Sequence, residues 1–287
     1  MEKNPPFRAA IIESGQATSY VNVTNAPTAW LALAAALNCT TSHPKSNLTC
    51  LRNQTAETLK SIIEHGALAF RPVVDNVTVL RYPEDARLNR SVAHVPVMAG
   101  TNADEGTIFT VGQTNASAYL AATFPNQPST NSEILQSYPG NSSEKVAEIW
   151  TESGTQCQVG ILTNDSHAAG FPTWRYFYNA SFPNINLTGL PNAGVFHSSE
   201  IRLVYGTYSQ EGATEEEKSL SLFMQAAWAG FAKHPYKGPG WKPVPAVGEL
   251  GTNGALLTET TAAELDRRCG FYMEAFEAAG IAPSSSS

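Results

Sequence analysis

The chain has 287 residues, of which 42% are hydrophobic, enough apolar material for one large α/β domain or two small ones. A net charge of −7, with 18 Lys and Arg and no basic cluster, leaves out the electrostatic footprint of a nucleic-acid binder. The longest apolar run, Ala29 to Leu37, falls short of the ~20 residues that span a bilayer and reads as a buried helix.

In chain order, Met1 is followed by Glu2, Lys3, Asn4 and two prolines, with no apolar signal-peptide core. Residues 7–14 read as a buried strand and Thr28 to Leu37 as a helix following it. Cys39 and Cys50 are 50 − 39 = 11 positions apart across a polar, Pro-containing segment from Thr40 to Thr49, a short loop that a disulfide could close. Cys157 and Cys269 complete an even set; four cysteines allow three pairings, and four reduced structural cysteines is the alternative. No Cys-x-x-Cys or His-x-x-x-His spacing is present, so a metal site is not expected. Thr55 to Ile63 predicts a short helix with a threonine N-cap, and residues 70–75 an extended segment.

Val95 to Ala99 is a strand-like run that ends in the Gly-bounded acidic loop Gly100-Thr101-Asn102-Ala103-Asp104-Glu105-Gly106. Residues 113–170 are polar and broken by Pro125, Pro128 and Pro139, with helical patches at 132–138 and 144–151. Trp174 to Tyr178 is an aromatic run suited to a packed strand. A loop from Phe182 to Gly194 then leads to Val195-Phe196-His197-Ser198-Ser199-Glu200 and an apolar run ending at Gly206. Thr214 to Glu217 reads as a capping box opening a helix whose apolar face includes Leu220, Met224, Trp228 and Phe231, and which Pro235 ends. Ala262 to Ala279 is expected to be the last helix, carrying Cys269 ahead of a disordered Ser284–Ser287 tail.

A histidine on a Gly-flanked turn serves as a general base near neutral pH, although such a histidine also serves as a satisfied structural group. An acid on one strand-end loop and a histidine on a later one follow the order Ser, Asp/Glu, His of the α/β-hydrolase triad. No serine here has glycines at both positions that a nucleophile elbow requires. The nearest imitation, Ser14, has Ile12 and Gln16 there.

The stretches Pro6 to Gly15, Asp104-Glu105-Gly106, Trp174-Arg175-Tyr176, the His197 loop, Ala227 to Lys233 and Gly238-Pro239-Gly240-Trp241 resemble, in family order, the type-B carboxylesterase and cholinesterase-like family in its secreted fungal branch. The resemblance implies an α/β-hydrolase fold in which residues 1–287 form the C-terminal portion of a single domain, with the nucleophile elbow and Gly-rich oxyanion loop upstream. It further implies catalytic roles for Glu105 as triad acid and His197 as base, supporting roles near the triad for Ser14 and Glu200, and the pairings Cys39–Cys50 and Cys157–Cys269. Asp104 is then an exposed loop carboxylate, Glu200 is either a buried support or a surface charge, and Asn76 replaces the family's usual Gly at the turn after Asp75. The substrate implied is a small-molecule or lipid ester, hydrolysed without metal or cofactor, and the missing N-terminal half is the expected partner. The alternative is a non-catalytic binding or adhesion module, or an inactive truncated product.

Sequons at Asn22, Asn38, Asn47, Asn53, Asn76, Asn89, Asn115, Asn141, Asn164, Asn179 and Asn186 are acceptors only in a secreted chain. With no signal peptide at Met1, the expectation is a secreted glycoprotein whose true start lies elsewhere.

Overall fold

The computed structural model describes residues 5–15, 27–40, 44–80 and 83–279, so the expectations for Met1, the Asn22 sequon and the Ser284–Ser287 tail lie outside the described residues. The chain divides into two compact units, Ala17–Pro83 and the remainder, Met1–Gln16 with Glu84–Ser287.

The larger unit opens with β1 (Ala10–Glu13), shorter than the predicted 7–14 and with Ile11 36% exposed. The smaller unit contains α1 (Pro27–Ala36), α2 (Pro44–Arg52) and α3 (Ala56–His65), packed through Leu33, Ala34 and Leu51 with Leu59, Ile62 and Ile63 around them. Thr55 caps α3, accepting from Thr58 N at 3.2 Å. A disulfide joins Cys39 to Cys50. Much of the segment expected to be a loop between them is α2, which carries Cys50. After Asp75, Asn76 takes φ +57°, the left-handed conformation that asparagine tolerates best among residues with a Cβ, and Asp75 Oδ1 collects the N–H groups of Val77, Thr78 and Val79.

After α4 (Pro83–Leu88), the larger unit lays down β2 (Val97–Asn102), whose last three residues extend the predicted strand. It continues with α5 (Ala116–Thr123), α6 (Pro128–Ser137), α7 (Ser142–Thr151), a π-helical turn at Glu152–Gln156, α8 (Cys157–Ala168), β3 (Thr173–Tyr178), α9 (Ile201–Val204), α10 (Glu215–Lys233), β4 (Ala246–Leu250) and β5 (Thr258–Thr261). The strands form one sheet in the order β1-β2-β3-β4-β5, parallel except for the last pair, with Val97 opposite Ala10 on one side and Thr173 on the other. Parallel neighbours need long crossovers, and α5–α8 and α9–α10 supply those into β3 and β4. β4 and β5 carry no clear alternation in sequence, and periodicity does not predict them.

Side chains alternate across the sheet. On one face Met98, Trp174, Tyr176, Met224, Trp228 and Phe231 form the main core with α10. On the other, Ala99 meets Val159 and Leu162 of α8. Arg175 also points there, fully buried, its Nη2 donating to Asp266 Oδ1 at 2.8 Å and to the Gln156 carbonyl at 3.1 Å. Trp228 Nε1 donates to Glu13 Oε1 at 2.6 Å. Thr214 caps α10 by accepting from Glu217 N at 3.1 Å, but the reciprocal half of the expected capping box does not form. Instead Glu217 is buried and accepts from Asn184 Nδ2.

The stretch 113–170 is far more helical than its polarity predicts. Leu120, Phe124, Ile134, Tyr138, Val146 and Ile149 build a second core with Tyr272 and Phe276. The helix α8 is invisible to periodicity because buried polar residues interrupt its apolar ones; Thr163 and Ser166 are buried by donating to the carbonyls of Val159 and Leu162 one turn back. The predicted last helix is three pieces, α11 (Ala262–Leu265), a 3-10 turn at Cys269–Tyr272 and α12 (Met273–Ala279). A Cys157–Cys269 disulfide ties that turn to the start of α8. Among the described residues no helix is long and apolar enough to cross a membrane.

Candidate active site

At the C-terminal end of β2 the chain turns at Asn102 into a 3-10 helix, Glu105–Ile108, that sinks the Glu105 carboxylate completely. Its Oε1 accepts from Asn102 N at 2.7 Å and from Ser14 Oγ, and its Oε2 lies 2.5 Å from His197 Nδ1. Ser14, just past β1, is itself buried and held at φ +51° with its N–H on the Gly100 carbonyl. Gly106 explains how the acid gets so deep. A Cβ there would lie 2.2 Å from the Ala147 carbonyl of α7, and the Gly106 N–H donates to Thr151 Oγ1 at 2.9 Å. Only a glycine lets the two backbones approach this closely.

The histidine loop is laced to the acid loop by Asp104. Its Oδ2 accepts from Val195 N at 2.7 Å, and its own N–H donates to the Val195 carbonyl at 3.0 Å. Asp104 is therefore half-buried structural mortar, and the expectation of an exposed carboxylate is wrong for this physical reason. Gly194 at φ +64° makes room, since a Cβ would collide with the Asp104 carboxylate. The His197 side chain remains 31% exposed. The Phe109 ring sits 5.2 Å away at a tilt and stacks in turn on Trp150.

Glu105 is an acceptor when ionised, so Nδ1 of His197 carries the proton and Nε2 is the nitrogen left for external chemistry. The Glu105 hydrogen bond holds the imidazolium form, raising the His197 pKa from 6.5 against the opposing pull of burial. Glu200 is buried, 1% exposed, and burial pushes its carboxyl up to about 7 despite the hydrogen bond from Asn102. Nothing in the linear sequence marks Asn102 as the junction it is. Its backbone N–H serves Glu105, while its Nδ2 donates to the Phe196 carbonyl at 2.9 Å and to Glu200 Oε2 at 2.5 Å, spanning both sides of His197. Ser14, Glu105, His197 and Glu200 thus converge on one point, with Asn102 and Asp104 between them.

Beside His197 lies a hollow of about 420 Å³, walled by Ile108, Ile185, Leu187, Phe196 and Ile201, with Ser198, Ser199 and Arg202 completing it. Among the described residues no three His, Cys, Asp or Glu side chains group as metal ligands would.

A mostly parallel sheet, helices on both faces, and a buried acid and a histidine delivered by loops at strand ends define an α/β hydrolase. Within that class the carboxylesterase family is matched over residues 2–249, and the chain belongs to it. It is 29% identical over 243 residues to a chlorogenic acid esterase of Aspergillus niger, covering 83% of this chain and 42% of that protein. It is 28% identical over 260 residues to secreted lipase 5 of Gibberella zeae, covering 83% and 45% respectively. To carboxylesterase 1C of Rattus norvegicus it is 26% identical over 254 residues, covering 79% and 46%. The chain therefore spans less than half the length of these curated relatives.

Proposed function

We propose that this chain supplies the general base and the orienting acid of a Ser-His-Glu carboxylic-ester hydrolase. The observation that carries the proposal is the 2.5 Å contact between His197 Nδ1 and a fully buried Glu105, with the His197 side chain partly exposed and lining the adjoining hollow. In this reading residues 1–287 are the C-terminal portion of one carboxylesterase domain. The nucleophilic serine and the oxyanion donors belong to upstream chain, in keeping with the partial coverage of the relatives and with the absence of a Gly-x-Ser-x-Gly in this sequence.

That serine attacks the ester carbonyl while His197 Nε2 takes its proton and returns it to the leaving alcohol; water then enters by the same route and releases the acid. Glu105 fixes the imidazole tautomer and stabilises the imidazolium as it forms. Ser14 and Asn102 hold Glu105 through its Oε1, and Glu200 anchors the segment after His197. The chain by itself has a base with nothing to activate and is inactive. The sequons, the two disulfides and the likeness to a fungal protein named as a secreted lipase support a secreted glycoprotein.

Fluorophosphonate labelling of the native secreted protein, with the modified peptide mapped by mass spectrometry, tests this. The expected label falls on a serine outside these 287 residues. A label on Ser14, or none on folded protein, overturns the assignment.

A further inference from the structure

The hollow beside His197 has one electrically distinctive side chain. Its walls are largely aliphatic and aromatic, its polar groups are His197, Ser198 and Ser199, no carboxylate lines it, and Arg202 stands at its edge. Arg202 is exposed, and its guanidinium makes no ion pair or hydrogen bond among the described residues. Arg202 thus brings an uncompensated cation to the same apolar hollow that His197 lines. The other arginines close to the two site loops are engaged elsewhere: Arg175 pairs with Asp266, and Arg268 with Glu152.

Resting on the ester-hydrolase reading, we propose that this hollow takes an apolar portion of the substrate bearing a carboxylate, and that Arg202 selects for that charge. The apolar walls favour an aromatic or aliphatic body. The planar guanidinium presents paired N–H donors that match a carboxylate in two parallel hydrogen bonds, and it is weakly enough hydrated to do so against an apolar wall. Arg202 follows His197 by five residues on the same loop and short helix, α9, so a ligand held by it lies against the reacting imidazole.

The test is saturation-transfer NMR on the native secreted protein, and on its variants produced in the same full form, with trans-cinnamate and its neutral isostere cinnamamide. Cinnamate is expected to bind about threefold to fivefold more tightly at low salt, the range an exposed ion pair gives. The gap closes in Arg202→Gln and at high ionic strength, whereas Arg267→Gln, an exposed arginine outside the hollow, leaves it unchanged. Equal affinities, no binding of either compound, or a gap that survives Arg202→Gln overturns the proposal. Preference for cinnamate together with failure of fluorophosphonate labelling sinks the ester-hydrolase reading alone.

Discussion

Replacing Glu200 by Gln isolates a buried carboxyl beside the catalytic histidine whose charged form burial disfavours. The folded carboxyl titrates near 7 where an ordinary glutamate titrates near 4.5, because burial disfavours its charged form more than the Asn102 hydrogen bond favours it. The folded protein therefore holds this proton more tightly than the unfolded chain does. Unfolding releases it across the window from about pH 4.5 to 7, and stability falls as pH rises through that window. At ~1.4 kcal/mol for each pH unit of displacement, an ionised Glu200 costs the fold roughly 3 kcal/mol above pH 7, and nothing below pH 4.5. The glutamine side chain keeps a carbonyl for Asn102 Nδ2 and carries no charge. Urea unfolding followed by tryptophan fluorescence from pH 4.5 to 8 should show the variant gaining on the parent by roughly 3 kcal/mol over that range. His197, whose folded pKa is also raised, loses stability in the same direction, but it is common to both proteins and largely cancels in the difference. A stability difference that stays flat with pH, or a variant that is weaker at pH 8, would refute this account of Glu200.

Two further outcomes follow from the same geometry. Glu105→Gln removes the largest influence holding the imidazolium, so the His197 ring protons should titrate at lower pH than in the parent by NMR; an unchanged midpoint contradicts the contact. Gly106→Ala drives a methyl into the Ala147 carbonyl and the Trp150 Cβ, and should cost about 2–3 kcal/mol in a thermal melt while displacing the Glu105 loop; a neutral effect would mean the close approach to α7 does not exist.

Much of this is legible in the residues. The strands at Ala10–Glu13, Val97–Asn102 and Thr173–Tyr178, and the long helix Glu215–Lys233, announce themselves through short apolar or aromatic runs, a capping threonine and 3.6-residue periodicity, all local properties of the chain. The order of acid and histidine points to the Asp104-Glu105 loop and His197 because Gly-bounded loops at strand ends are visible as sequence, and only the family resemblance singles out Glu105 within that loop. The structure decided what local pattern cannot carry. The helix α8 buries polar residues such as Gln158, Thr163 and Ser166 among its apolar ones and so shows no clean apolar face in sequence, while β5, Thr-Glu-Thr-Thr, is a strand only because β4 offers it an edge. Asp104 and Glu105 are adjacent carboxylates with equal claims on paper. The turn at Gly106 sends Glu105 into the protein toward His197 and leaves Asp104 to tie down Val195. Asn102, an ordinary polar residue in a linear reading, becomes the junction between the two loops because contacts separated by more than 90 positions exist only once the sheet has brought its strand ends together.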